Sequence, residues 1–106
     1  MSPSTKRKKF KSPVIEEYLL GKWFKKWEGI KPAEKARWRI KVVVSARDKR
    51  DFDTFSGFRF EAIEGTKNYH SIRIGGQWRC FFIWENGEAW EIEISKHDYK
   101  KVKRGK

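Results

Sequence analysis

The stretch Asn68-Tyr69-His70-Ser71-Ile72-Arg73-Ile74-Gly75-Gly76-Gln77-Trp78-Arg79-Cys80-Phe81-Phe82-Ile83-Trp84-Glu85-Asn86-Gly87-Glu88-Ala89-Trp90-Glu91-Ile92-Glu93-Ile94 decides the fold. Apolar and polar residues alternate through much of it, the period of a half-buried strand. Two breaks, Gly75-Gly76-Gln77 and Glu85-Asn86-Gly87, hold the residue types that hairpin turns need. Strands are expected at residues 69–74, 78–84 and 88–94, with another before them at 58–63. Loop length sets which face each side chain joins. With three-residue loops, Ile74 pairs with Trp78 and Trp84 with Glu88. One face then collects Ile72, Ile74, Trp78, Cys80, Phe82, Trp84, Trp90, Ile92 and Ile94. The other collects Ser71, Arg73, Arg79, Phe81, Ile83, Ala89, Glu91 and Glu93. Two-residue loops would instead set Glu91 and Glu93 beside Cys80 and Phe82, burying unpaired charge at a cost of several kcal/mol. Three-residue loops are therefore expected, with Gly87 in the left-handed position of a bulge.

Upstream, Ser12-Pro13 offers a helix cap and first helical residue. A first helix is expected from Pro13 to about Trp27, interrupted at Gly21. Pro32 opens a second, in which Ala33, Ala36, Ile40, Val43 and Val44 share one arc while Trp38 and Val42 lie off it. Residues 47–56 read as a charged connector. The fold class is α+β: two N-terminal helices packed on one face of a small, mostly antiparallel sheet, the other face left open. Residues 1–11 read as a basic, disordered arm, of which 9–11 can add a short edge strand. Residues 12–100 read as a single domain and 101–106 as a basic tail.

The composition suits one folded domain: 106 residues, 38% hydrophobic, with six Trp and eight Phe. No apolar run approaches the roughly 18 residues that span a bilayer, and no apolar signal core follows the basic N-terminus. The lone Cys80 has no disulfide partner in the chain, which suits a cytoplasmic location. The formal charge of +12 is concentrated at the ends: five bases and no acid in residues 1–11, six bases and one acid in residues 96–106. Such ends bind phosphate backbones without reading sequence, or simply stay solvated.

In the expected register Arg73 and Arg79 stand opposite each other, and Arg79 also faces Glu93. Paired guanidiniums suit a phosphodiester and the added charge of its pentacovalent transition state; the same spacing also fits a solubilising Arg–Glu ladder. The segment after the last strand, Ser95-Lys96-His97-Asp98-Tyr99-Lys100-Lys101, gathers an imidazole, a phenol, a carboxylate and three lysines. His97 is the natural acid or base near neutral pH, and Tyr99 can bond a phosphate or stack on a base. Lys67, Lys96, Asp98, Lys100 and Lys101 are the candidate RNA contacts; an ordinary charged tail remains the alternative. His70 reads as a packing residue. Two histidines and one cysteine give no zinc spacing, and no phosphate-cradling Gly-Lys-Ser/Thr loop or tight acidic cluster is present, so a nuclease here is expected to work without metal or other cofactor.

In order and spacing, residues 68–94 resemble the core of HigB-type toxins of the RelE/ParE superfamily: a Ser-Ile-Arg-Ile strand, a short turn, Gln-Trp-Arg with an aromatic strand, an acidic-Gly turn and a Glu-Ile strand. Residues 58–65 extend the match loosely. The resemblance implies a microbial-ribonuclease-like fold and metal-independent endoribonuclease cleavage of mRNA on the ribosome. It also implies neutralisation by a cognate antitoxin of helix-turn-helix, HigA-like type, and no membrane partner. It makes Arg79, the arginine of the Trp-Arg pair, an active-site residue, and gives Arg73 the place of a basic strand residue in RelE-like members. The family's C-terminal Asp-Tyr-His is similar to Asp98-Tyr99-Lys100. The sequence departs from the family pattern at three positions: Glu64 stands where many members have lysine, Glu61 where they have histidine, and Lys100 replaces the terminal histidine. Two other functions share this family resemblance: non-catalytic inhibition of gyrase in the ParE manner, and a degenerate nucleic-acid-binding module.

Overall fold

The computed structural model describes residues 7–53 and 58–96. Helix α1 spans Pro13–Leu19, and Ser12 caps it as expected, its Oγ accepting from the Val14 N–H at 3.4 Å. It ends well before Trp27. Gly21 adopts φ +106°, and the N–H groups of Gly21 and Lys22 return to the carbonyls of Tyr18 and Glu17 at 3.0 and 3.1 Å. That is a Schellman closure, open to glycine because it has no Cβ to clash. A separate 3-10 turn, Lys25–Trp27, brings Trp27 into the core, edge-on to Tyr18 at 5.0 Å.

Helix α2 spans Ala33–Ser45 and buries Ala36, Ile40 and Val43, the expected arc, while Trp38 stays exposed. Arg39, which the hydrophobic pattern assigns to no face, is buried with them. The charged connector is not wholly irregular. Asp48 and Asp51 form a reciprocal capping box for the 3-10 turn Lys49–Phe52, which drives Phe52 into the core. Phe52 stacks on Phe60 at 4.9 Å and meets Phe82 and Trp84 at 5.5 and 5.7 Å.

Four antiparallel strands follow in sequence order: β1 Glu61–Ala62, β2 Tyr69–Gly75, β3 Trp78–Glu85 and β4 Glu88–Lys96. The α+β class holds, with α2 against β2 and β4 and α1 against α2. The first strand is shorter than residues 58–63 because Arg59 turns to φ +49°.

The loop lengths differ from expectation. Both hairpins have two-residue turns, with Gly75 opposite Trp78 and Glu85 opposite Glu88. Asn86 and Gly87 both take positive φ, at 55° and 74°, the backbone that matches the twist of paired strands. A register irregularity beside each turn restores the burial pattern: one between Arg73 and Gly75, the other opposite the Phe81–Ile83 step, where Glu91 has φ +50°. Ile72, Ile74, Cys80, Phe82 and Ile92 are therefore buried as expected. Between the second turn and its bulge the faces exchange. Ala89 is fully buried, while Trp90, expected inside, is half-buried opposite Ile83 and donates its indole N–H to the Glu85 carbonyl at 3.1 Å. The expected Arg79–Glu93 pairing is corrected by the same shift: Arg79 faces Ser95, and Glu93 faces Phe81.

Residues 7–11 run beside β4 instead of forming a disordered arm, and the short edge strand allowed for 9–11 is present as a single bridge. Phe10 bridges Ile92 in parallel, and Arg7, Lys9 and Lys11 pair with Glu85, Glu88 and Glu93 at 2.6, 3.3 and 2.9 Å. Acids at the end of β3 and along β4 supply the attraction, and the outer hydrogen-bonding edge of β4 supplies the backbone partners. Among the described residues no helix is long and apolar enough to cross a membrane.

Candidate active site

Arg79 and Arg73 are direct partners across the β2–β3 ladder, and this part of the expected geometry holds. The expectation of an uncovered face does not. Arg79 is 6% exposed, and Ser71 and Phe81 on the same side are also buried. The reason lies in β1 and the turn before it. Glu61 pairs with Ser71, and the Phe58 carbonyl accepts from the Arg73 N–H, so this segment lies along β2. The Arg79 guanidinium folds against it. Its Nε donates to Ser71 Oγ at 2.8 Å, its Nη2 donates to the carbonyls of Arg59 and Ser71, and Nη2 stands 3.7 Å from Glu61 Oε1. Charge-assisted bonds of this kind hold a guanidinium in one orientation. The result is a cation positioned in advance, with a carboxylate at its side.

Nearby side chains have different tasks. Tyr69 stacks on Phe81 at 5.7 Å, and burial, with Glu93 nearby, pushes its phenol up to about 12, so it remains a hydrogen-bond donor near neutral pH. His70 packs as expected, on the Phe60 ring at 5.1 Å and near Phe82 at 6.0 Å. Burial, aided by Lys49, lowers its pKa and favours the neutral ring. Cys80 is wholly buried, and its thiol is pushed up by the same desolvation. Arg73 is half-buried, and its carbonyl accepts from Arg39 Nη1 at 3.2 Å.

Of the remaining candidates, Lys67 is exposed in the loop between β1 and β2. Lys96 ends β4, its ammonium 5.6 Å from the centre of the Trp78 ring. His97, Asp98, Tyr99, Lys100 and Lys101 lie outside the described residues. Three contributors escaped the sequence reading. Ser71 and Glu61 are partners of Arg79, and Arg39 lies behind Arg73. The alternation of β2 placed Ser71 on the correct face, but nothing local marked it as an acceptor. Glu61 stood out only as a departure from the family pattern.

Comparison with known proteins finds relatives for most of the chain. A family model described as the RelE-like toxin of the type II toxin–antitoxin system HigB matches residues 9–97. The chain is also similar to Toxin HigB-1 of Vibrio cholerae, 32% identical over 62 residues, which is 58% of this chain. The aligned part spans 65% of that relative, just under two thirds of its length.

Proposed function

Because the chain belongs to the HigB-like family of RelE-like type II toxins, we propose that it is an endoribonuclease that cuts mRNA on the ribosome and is neutralised by a cognate antitoxin of HigA-like type. The observation that carries the reading is Arg79: a family-motif arginine held in one orientation by Ser71, the Arg59 carbonyl and Glu61. A guanidinium oriented in advance stabilises the charge that develops on a scissile phosphate without reorganising as the reaction proceeds. The required proton transfers are removal from the attacking 2′-hydroxyl and donation to the leaving 5′-oxygen. The Glu61 carboxylate beside Arg79 is suited to the first. His97 or Tyr99 supplies the second. Arg73 supports the backbone next to the scissile group, and Lys67, Lys96, Asp98, Lys100 and Lys101 extend the contact with RNA. The basic segment 101–106 adds attraction for phosphate that is independent of sequence.

The test is expression of the full chain in bacteria, with mRNA ends mapped in purified ribosomes after brief induction. Growth arrest with new codon-adjacent ends is expected, both abolished by Arg79→Ala. Full toxicity of Arg79→Ala, or arrest accompanied by DNA breaks without new mRNA ends, refutes the proposal.

A further inference from the structure

A second cationic feature lies next to Arg73. The first turn of α2 and the β2–β3 turn enclose a recess of about 290 Å³, lined by Lys31, Lys35, Arg39, Arg73, Gly75 and Gly76 among others. Its wall is close-packed. A Cβ placed on Gly75 would lie 3.2 Å from the Lys31 carbonyl, a tight contact that a small shift of the turn would have to relieve. Four cations line the recess, and among the described residues none of them is ion-paired.

Arg39 is the informative member. It is 9% exposed, lies over the Phe58 ring at 5.3 Å and donates Nη1 to the Arg73 carbonyl, yet its Nε is buried with no acceptor among the described residues. Burial, with the repelling charge of Arg73 second, lowers its pKa. A buried cationic donor with no acceptor, facing a like charge, is costly to keep. An anion in the recess would offset the repulsion between the Arg39 and Arg73 charges. The helix end points to the same chemistry: Pro32 provides no side-chain cap for α2, leaving backbone N–H groups of its first turn available to an anion.

We propose that this recess holds one backbone phosphate of bound RNA, a separate phosphate from the one gripped at Arg79. RNA is favoured over an acidic protein segment by continuity. Arg73 lines the recess and is the cross-strand partner of Arg79, so a strand seated at Arg79 can continue toward the recess. The inference rests on the ribonuclease reading above and deepens it.

The test uses the full chain, a single-stranded 2′-O-methyl RNA that cannot be cleaved, and inorganic phosphate. Lys31 and Lys35 are exposed, so Lys31→Ala/Lys35→Ala keeps the fold while removing half of the recess charge. Weakening of RNA binding by about tenfold in 0.1 M salt is expected, with the salt slope reduced by about 0.7, the share of one single-strand phosphate. The Arg39 Nε–H resonance should shift with inorganic phosphate and with RNA, and RNA should displace the phosphate. A resonance that responds to phosphate but not to RNA marks a site for free phosphate alone and overturns the proposal. So does a resonance that responds to neither, or a double variant that loses binding to its antitoxin while RNA affinity is unchanged. Failure here is distinct from failure of the ribonuclease reading: the latter shows as toxicity of Arg79→Ala, which the recess experiment does not measure.

Discussion

Replacing Ser71 with alanine removes one hydroxyl from a site that is fully buried and leaves the backbone of β2 unchanged in type. The structure assigns that hydroxyl a single visible duty, accepting Arg79 Nε at 2.8 Å. In Ser71→Ala the Nε becomes a buried cationic donor without its acceptor, while Nη2 keeps the Arg59 and Ser71 carbonyls. Hydrogen bonds to charged groups contribute about 1.5–3 kcal/mol, and the orphaned donor keeps the loss in the upper part of that range. For a domain of this size each kcal/mol shifts Tm by about 4–8 °C, so the range corresponds to a fall of roughly 6–24 °C, with the upper half expected. A double-mutant cycle with Arg79→Met isolates the pair, because in that background Ser71 has no guanidinium to accept from. Urea denaturation of the four proteins should give a coupling of about 1.5–3 kcal/mol. RNA cleavage by Ser71→Ala should fall together with the coupling, because the guanidinium loses its fixed orientation. A coupling below about 0.5 kcal/mol would show that the hydroxyl does not hold Arg79, and positioning in advance would then fail as the basis of the active site.

Three further outcomes are expected. Phe52→Ala should cost about 3–5 kcal/mol in urea denaturation, since it empties a site bounded by Phe60, Phe82 and Trp84, whereas Phe52→Leu should cost far less. The pKa of His70 lies below its usual 6.5, so the unfolded chain takes up a proton before the folded one does. Its contribution is complete above about pH 6.5 and is lost as the pH falls through the lowered value; His70→Phe should flatten the dependence of stability on pH just below 6.5, and an unchanged slope would contradict the assignment. Cys80 should react with a thiol reagent only as fast as the native fold opens, and immediate labelling of native protein would contradict its burial.

The sequence alone was sufficient for features whose cause is local. Alternation in residues 69–94 marked three strands, Asn86-Gly87 marked a turn, and Ser12-Pro13 marked the start of α1. The pairing of Arg73 with Arg79 followed from keeping Ile72, Cys80 and Phe82 on one apolar face. The turn lengths were misjudged because that requirement limits only the parity of the register. A two-residue turn followed by a bulge preserves the parity as well as a three-residue loop does, and Glu91 shows nothing locally that marks a bulge. The basic arm looked solvated because its partners, Glu85, Glu88 and Glu93, are about 80 residues away in the chain.

What tertiary structure alone decided is the state of the two arginines. Composition and spacing placed cations on one side of a sheet. Only the fold brings Ser71, the Arg59 carbonyl and Glu61 around Arg79, and sets Arg39 behind Arg73. Whether a guanidinium is solvated or held fixed depends on neighbours from distant segments, and a one-dimensional pattern does not record which segments meet.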